Sequence, residues 1–349
     1  MNIDDLIIDE NTSALDSMKR LDETGRRIVF IAPQGRLTAV LTDSDIRKFI
    51  LHGGDLSCPV SQVANYSFKA LPVEKRGEAK AFSQKNNIEA LPLLDKQGCI
   101  VDIIFATEVG GVSKRRLLNN PVVIMAGGKG TRLYPYTKIL PKPLIPVGES
   151  PIIELVIRNF QNFGCSAFTM VVNYKKNMIK SYFSEIEKDY TLEYIDEDIP
   201  LGTGGGLSLL KGKIQDTFFF TNCDILLEAD YSDIIRFHKK QGNNITVVCA
   251  VKHFVIPYGV VEMEEDGALK NMAEKPEMNF LTNTGMYVVE PEILDGIPDG
   301  VSQGFTDIIE TVRKNGGRVG VYPVHESSWM DMGQLEELEK MRRKLENQQ

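Results

Sequence analysis

The sequence predicts an α/β protein in which a mixed, mostly parallel sheet is covered by helices and preceded by a smaller α+β module. Three observations predict it. Beyond Pro121, short apolar runs of strand type alternate with stretches of helical periodicity, the chain order of a parallel sheet with crossover helices. A glycine-rich loop follows the first of these strands, Val122 to Met125, and open parallel sheets bind ligands beyond the carboxyl ends of their strands. Before Pro121 the chain carries a weak internal repeat, with Gly35 and Gly98 in equivalent places 63 positions apart.

The first copy of the repeat runs from a helix-like stretch, Ser13 to Asp22, through the strand RIVFI (Arg27 to Ile31), a turn at Gly35 and the strand LTAVL (Leu37 to Leu41), into TDSDIRKFI. The second copy has Gly77 to Gln84, ALPLL (Ala90 to Leu94), Gly98 and CIVDIIF (Cys99 to Phe105). Val109 to Pro121 then collects Gly110-Gly111, Lys114-Arg115-Arg116 and Asn119-Asn120-Pro121, which favour irregular chain. The boundary falls there, giving a module over 1–111, a linker over 112–120 and a larger domain over 121–349. In the larger domain a helix is expected from Ile152 to Phe163, a strand from Phe168 to Tyr174, a helix near Met178 to Glu187 and a strand from Leu192 to Ile195.

Composition excludes several classes. A formal net charge of −8, with basic residues dispersed apart from Lys114-Arg115-Arg116, argues against nucleic acid as a partner. The apolar content of 42% is enough for packed cores. Cys58, Cys99, Cys165, Cys223 and Cys249 are odd in number and form no CxxC pair, so neither a disulfide framework nor a zinc site is indicated and a reducing cytoplasm is expected. MNIDDLIIDE has no basic-then-apolar signal, and no apolar run approaches the roughly 18 residues of a membrane span, so no membrane partner is expected.

Gly127, Gly128 and Gly130 let the loop after Met125 turn tightly and bring its N–H groups against phosphate oxygens, while Arg132 and Lys142 add two spaced cations. This is a grip for a nucleoside triphosphate. Two familiar phosphate loops do not fit. A Walker A loop needs Ser or Thr after its Gly-Lys, and here Lys129 is followed by Gly130; a dinucleotide fingerprint needs a small residue where Leu133 stands. A second glycine cluster, PLGTGGGL from Pro200 to Leu207, precedes a helix running to about Leu210, whose N-terminus adds donors beside a backbone that can pass close to a flat base. FFFTNCDILL stops being apolar at Asn222-Cys223-Asp224, so a strand delivers the Asp224 carboxylate to its carboxyl end. Cys223 reads as a packed small hydrophobe, and the four histidines show no ligand spacing.

Ala126 to Leu133, Pro135, Thr137 and Lys142 to Leu144 match the pattern of the sugar-1-phosphate nucleotidyltransferases, AGGxGTRL followed by a Pro and a Thr and then KPL. The resemblance spans Pro121 to Asp331 and implies a Rossmann-like domain that joins a nucleoside triphosphate to a sugar 1-phosphate with release of pyrophosphate. It implies nucleotide binding by Ala126, Gly127, Gly128, Gly130 and Thr131, with Glu197, Pro200, Leu201, Gly202 and Thr203 beside the base. Arg132 then holds the departing phosphates, Lys142 offsets charge at the α-phosphate, and Lys275 of Glu274-Lys275-Pro276 holds the attacking sugar phosphate. Glu274, Tyr258, Gly259, Asn283 and Thr284 correspond to the sugar's surroundings. The implied cofactor is Mg2+ on Asp224 and on Asp331 of SWMDMGQ, since Mg2+ takes one or two protein carboxylates and completes its shell with water and phosphate oxygens.

The PLGTGG form preceded by Glu197 and Asp198 is most similar to the guanylyltransferase branch, and a carboxylate there can accept from guanine's N1–H and exocyclic amine together. Which acid points inward is not legible. The N-terminal repeat resembles a pair of CBS motifs, and Thr42 and Asp45 match the Thr and Asp that hold a nucleotide's ribose and phosphate there, implying an adenosine-type ligand. Phe105 and Glu108 at the same offsets depart from that pattern, which implies one intact site; Thr42 and Asp45 also read as a helix cap. The combination of modules is similar to a bacterial enzyme type that makes GDP-glucosamine for legionaminic acid synthesis. GTP and glucosamine 1-phosphate are therefore expected, with mannose or heptose 1-phosphate, or uridylyl or cytidylyl transfer, as alternatives. A homo-oligomer is expected, and an assembly protein using the paired N-terminal repeats as a dimer interface is one alternative of another class. A non-catalytic nucleotide sensor is the other, and the joint presence of Arg132, Lys142, Asp224, Lys275 and Asp331 argues against it.

Overall fold

A computed structural model of the chain describes residues 3–24, 26, 28–86, 88–105 and 117–346. Arg27, Glu108, Gly110, Gly111 and Lys114-Arg115-Arg116 lie outside the described residues, as does most of the expected linker. The chain forms two compact units, one from Met1–Arg115 with Val251–Phe280 and the other from Arg116–Ala250 with Leu281–Gln349.

The larger unit is built on a seven-stranded sheet in the order Thr191–Asp196, Ala167–Val172, Val122–Met125, Phe218–Asn222, Glu277–Val289, Ile245–Val255, Val319–His325. The first four strands are mutually parallel, and Glu277–Val289 runs antiparallel to Phe218–Asn222. Val122–Met125 reads as an unbroken apolar run because both faces of the sheet are covered. Val122, Ile124 and Phe219 enter one core with Ile153, Ile157 and Phe160 of the helix Ile152–Gln161; Val123, Phe218 and Phe220 enter a second with Leu207, Phe305 and Ile308. Each such side chain contributes about 1.5–3 kcal/mol on burial. Strand order reverses between Val122–Met125 and Phe218–Asn222, the switch point at which such sheets bind ligands.

Three sequence expectations are corrected in detail. The helix expected to Phe163 ends at Gln161, where a turn closes on Gly164 at φ 95. The strand expected to Tyr174 covers Ala167–Val172, because Lys175 at φ 52 turns the chain into the helix Lys176–Glu185. The glycine cluster forms one helical turn, Gly202–Gly205, continued as a 3-10 segment, Gly206–Leu210, since four glycines in five residues give little support to a longer helix.

In the smaller unit the repeat is visible as two equivalent sheets. Ile7–Ile8 lies parallel to Ile28–Ile31, which pairs antiparallel with Ala39–Thr42; Leu71–Pro72 lies parallel to Ala90–Leu94, which pairs antiparallel with Ile100–Phe105. The helices Ala14–Thr24 and Ala79–Asn86 precede the paired strands. The copies meet at their turns, where the Leu37 N–H donates to the Gly98 carbonyl at 3.0 Å, and they share a core of Leu6, Phe30, Leu37 and Val40 with Ala90 and Ile103. The hairpin Val260–Met263 with Leu269–Ala273 belongs to this unit as well.

Candidate active site

The phosphate loop leaves the central strand at Met125. Ala126 is buried and its N–H donates to the Val171 carbonyl at 2.8 Å, so the loop starts from a fixed point. Gly130 sits at φ 63, and a Cβ there would stand 2.9 Å from the Thr137 methyl and 3.1 Å from Lys142 Cβ; only glycine fits. Gly128 has open space around it. Thr131 and Arg132 lie on the 3-10 turn Thr131–Leu133, anchored by buried Leu133, which leaves the Arg132 side chain in solvent.

Asp224 stands in the turn after Phe218–Asn222. The following segment Ile225–Leu227 leaves the central sheet and pairs antiparallel with Trp329–Asp331, placing Ile225 opposite Asp331, while the Met332 N–H donates to the Asp224 carbonyl at 3.0 Å. Two carboxylates far apart in sequence are thereby made neighbours. The Lys142 ammonium hydrogen-bonds the Asp224 carboxylate, with only 13% and 8% of the two side chains exposed. Burial acts to lower the Lys142 pKa, but the negative charge of Asp224, with Cys223 and Asp331 near it, prevails and raises it, so the amine stays charged.

Asp331 is pushed up to about 6, first by burial and then by the charge of Asp224, against the opposing pull of Lys142 and the Gly333 N–H. A carboxyl raised in the folded state adds stability below its unfolded pKa of about 4 and loses it as pH rises through the folded value. The group is thus short of positive charge above that pH, with two carboxylates facing one ammonium. Among the described residues no group of three or more His, Cys, Asp or Glu is placed to hold a metal ion by itself. The donor set fits a hard cation that keeps water and substrate oxygens in its shell, as Mg2+ does, and does not fit an all-protein cage.

The acids before the second glycine cluster separate cleanly. Asp196 is bound by Lys180 at 2.6 Å and Lys176 at 3.2 Å, and the Asp198 side chain is 93% exposed. Glu197 alone turns inward and is 4% exposed. Its Oε1 accepts from the Leu201 N–H at 3.0 Å, and its carbonyl accepts from Asn173 Nδ2 at 2.6 Å. Burial raises its pKa, partly offset by the Leu201 N–H. A Cβ on Gly127 would stand 3.0 Å from Oε2 and one on Gly206 3.1 Å from Oε1, so the carboxylate lies between the two glycine motifs. Two of the expected donors of the second motif are engaged elsewhere. Gly204 and Gly205 N–H donate to the Gln303 carbonyl at 3.0 and 3.2 Å, and Thr203 Oγ1 accepts from the Phe305 N–H at 3.3 Å. Leu201 is buried and its carbonyl accepts from the Gln303 N–H at 2.9 Å, while Pro200 and Gly202 are exposed.

The sugar-side residues divide between the units. Tyr258, Gly259, Glu274 and Lys275 belong to the smaller one, where the Lys275 N–H donates to the Tyr258 carbonyl at 3.3 Å and a Cβ on Gly259 would stand 3.1 Å from Glu274 Oε2. Lys275 holds φ 46, a left-handed conformation that costs a non-glycine residue about 1–3 kcal/mol and concentrates at functional sites. Asn283 and Thr284 belong to the larger unit. Asn283 donates to the Tyr287 hydroxyl at 2.7 Å and accepts from the Gly285 N–H at 2.9 Å; Thr284 is buried and donates to the Val248 carbonyl at 2.8 Å. Thr42 and Asp45 form a reciprocal capping box on the helix Asp43–Leu51.

Asn173, Tyr174 and Lys175 were not singled out by sequence, although they follow a parallel strand at the same sheet edge as the phosphate loop; that position was their one available signal.

A sheet whose switch point carries a glycine loop, a buried lysine on a carboxylate pair and an inward glutamate defines a nucleotide-handling α/β domain. The chain belongs to the nucleotidyl transferase family, which it matches over residues 121–348. It is similar to mannose-1-phosphate guanylyltransferase 1 of Arabidopsis thaliana, 31% identical over 225 residues that cover 61% of each chain. It is also similar to the UTP--glucose-1-phosphate uridylyltransferase of Synechocystis sp., 29% identical over 234 residues, 61% of this chain and 60% of that protein. The chain thus spans about three fifths of the length of these curated relatives. The crystal structure of HddC from Yersinia pseudotuberculosis has the same fold, with a TM-score of 0.52 and 24% identity over 65% of this chain and 99% of that one.

Proposed function

We propose that the protein transfers a guanylyl group from GTP to a hexose 1-phosphate, forming a GDP-sugar and pyrophosphate. The observation that carries this reading is the Lys142, Asp224 and Asp331 cluster at the sheet's switch point, beside the phosphate loop of a family member. The sugar phosphate oxygen attacks the α-phosphorus, a P–O bond to the bridging oxygen breaks, and pyrophosphate leaves in line. Arg132, free in solvent, reaches the departing phosphates; Lys142 neutralises charge on the α-phosphate; Lys275 holds the attacking phosphate. Asp224 and Asp331 are the residues that would hold Mg2+, which would supply positive charge against the phosphates.

Guanine is favoured by Glu197. A buried carboxylate lying between two glycine motifs can accept from guanine N1–H and its exocyclic amine, which uracil, cytosine and adenine do not jointly offer. The sugar has two candidates. Mannose 1-phosphate is supported by the named activities of several relatives, and glucosamine 1-phosphate by the order of modules. The smaller unit reads as a CBS pair that binds an adenosine nucleotide, in an enzyme that self-associates and works in the cytoplasm; no helix among the described residues is long and apolar enough to cross a membrane.

Incubating the protein with Mg2+, GTP and each sugar 1-phosphate, with product masses measured, tests the assignment; absence of any GDP-sugar would refute it. In the same assay Glu197→Gln is expected to lower kcat/KM for GTP by roughly 10–100-fold, the loss of charge-assisted hydrogen bonds, with little change for UTP. An equal loss for both nucleotides would remove Glu197 from base recognition. Titration of the full chain with AMP and ATP is expected to give binding heat that Asp45→Ala abolishes; no heat would leave Thr42 and Asp45 as a helix cap alone.

A further inference from the structure

Lys175 follows the strand Ala167–Val172 and holds φ 52 at the start of the helix Lys176–Glu185, one of three non-glycine residues with positive φ among those described. That conformation directs attention to its side chain. The ammonium donates to the carbonyls of Lys138 and, at 2.7 Å, Ile139. These are the last carbonyls of the short helix Tyr136–Ile139, which has no following turn to donate N–H groups to them. Its neighbour Tyr174 donates its hydroxyl to the Thr137 carbonyl at 3.2 Å, and Thr137 Oγ1 donates to the Gly130 carbonyl at 3.0 Å.

These bonds form a continuous path from Tyr174-Lys175 to Gly130, across the loop that carries Arg132 and leads into Lys142. Little else restrains its outer side, since Tyr134, Tyr136 and Ile139 are exposed at 52%, 41% and 75%. We infer that Lys175 is a positioning residue: its ammonium clamps the end of the helix Tyr136–Ile139 and so fixes Arg132 and Lys142 for the triphosphate. The inference rests on the proposed nucleotidyl transfer for its kinetic form. Its structural form, a helix end clamped by the Lys175 ammonium, does not.

Lys175→Met keeps the length of the side chain and removes the donor; Lys175→Arg keeps a cationic donor. In the full-length protein, Lys175→Met is expected to lower kcat/KM for the nucleoside triphosphate by up to about 100-fold, as small displacements of catalytic groups do, while KM for the sugar 1-phosphate is unchanged and Lys175→Arg restores most of the loss. Hydrogen exchange should accelerate across residues 131–142 in Lys175→Met and stay at wild-type rates in the helix Lys176–Glu185. Wild-type kinetics and exchange in Lys175→Met would overturn the inference, as would faster exchange throughout the unit, which marks general destabilisation. If the wild-type protein itself transfers no nucleotide, the functional reading fails separately, and the exchange of 131–142 alone decides whether the clamp exists.

Discussion

Asp224→Asn is expected to lower kcat by roughly 10²–10³-fold, the scale on which removal of one preorganised electrostatic group acts. The change is nearly isosteric, so the turn between Phe218–Asn222 and Ile225–Leu227 and its bond from the Met332 N–H are retained. What is lost is the charge that holds Lys142 and, with Asp331, would hold Mg2+. Raising Mg2+ should recover part of the rate by mass action, because Asp331 still supplies one carboxylate. Kinetics across a Mg2+ titration check this; near-normal turnover at ordinary Mg2+ would take Asp224 out of the reaction.

Lys142→Met is expected to damage both rate and stability. Removing one member of a buried ion pair costs about 3–5 kcal/mol because the partner charge is left uncompensated, and here two carboxylates are left facing each other. The sign of the pH dependence follows from Asp331, whose pKa already stands at about 6 with Lys142 present. Without the lysine it rises further. Destabilisation measured without metal is therefore largest above that pH and shrinks as acid protonates Asp331. Denaturant melts of both proteins from pH 5 to about 8 test this. A pH-independent loss would indicate that Lys142 acts through packing.

Val122–Met125 and its loop were legible because a strand buried on both faces must be continuously apolar and because Gly130 occupies a left-handed position beside Thr137. Asp224 was legible as the place where an apolar run stops. Its pairing with Asp331 was not, since it depends on an antiparallel contact between Ile225–Leu227 and Trp329–Asp331 that leaves no local trace; resemblance alone suggested it. Likewise Asp196, Glu197 and Asp198 are equivalent by composition, and only the bonds to Lys176, Lys180 and the Leu201 N–H separate them. The grouping of Val251–Phe280 with the N-terminal residues has no local signature in the sequence. Beyond its place after a parallel strand, Lys175 gave no signal, because a left-handed lysine is set by its surroundings.

The most direct test of nucleotidyl transfer is pyrophosphate release from GTP followed with and without a sugar 1-phosphate, in Mg2+ and in EDTA. The account predicts pyrophosphate only when GTP, sugar 1-phosphate and Mg2+ are all present, equal in amount to the GDP-sugar formed and nearly abolished in Asp224→Asn. Release that does not depend on the sugar 1-phosphate, or orthophosphate in place of pyrophosphate, would contradict it.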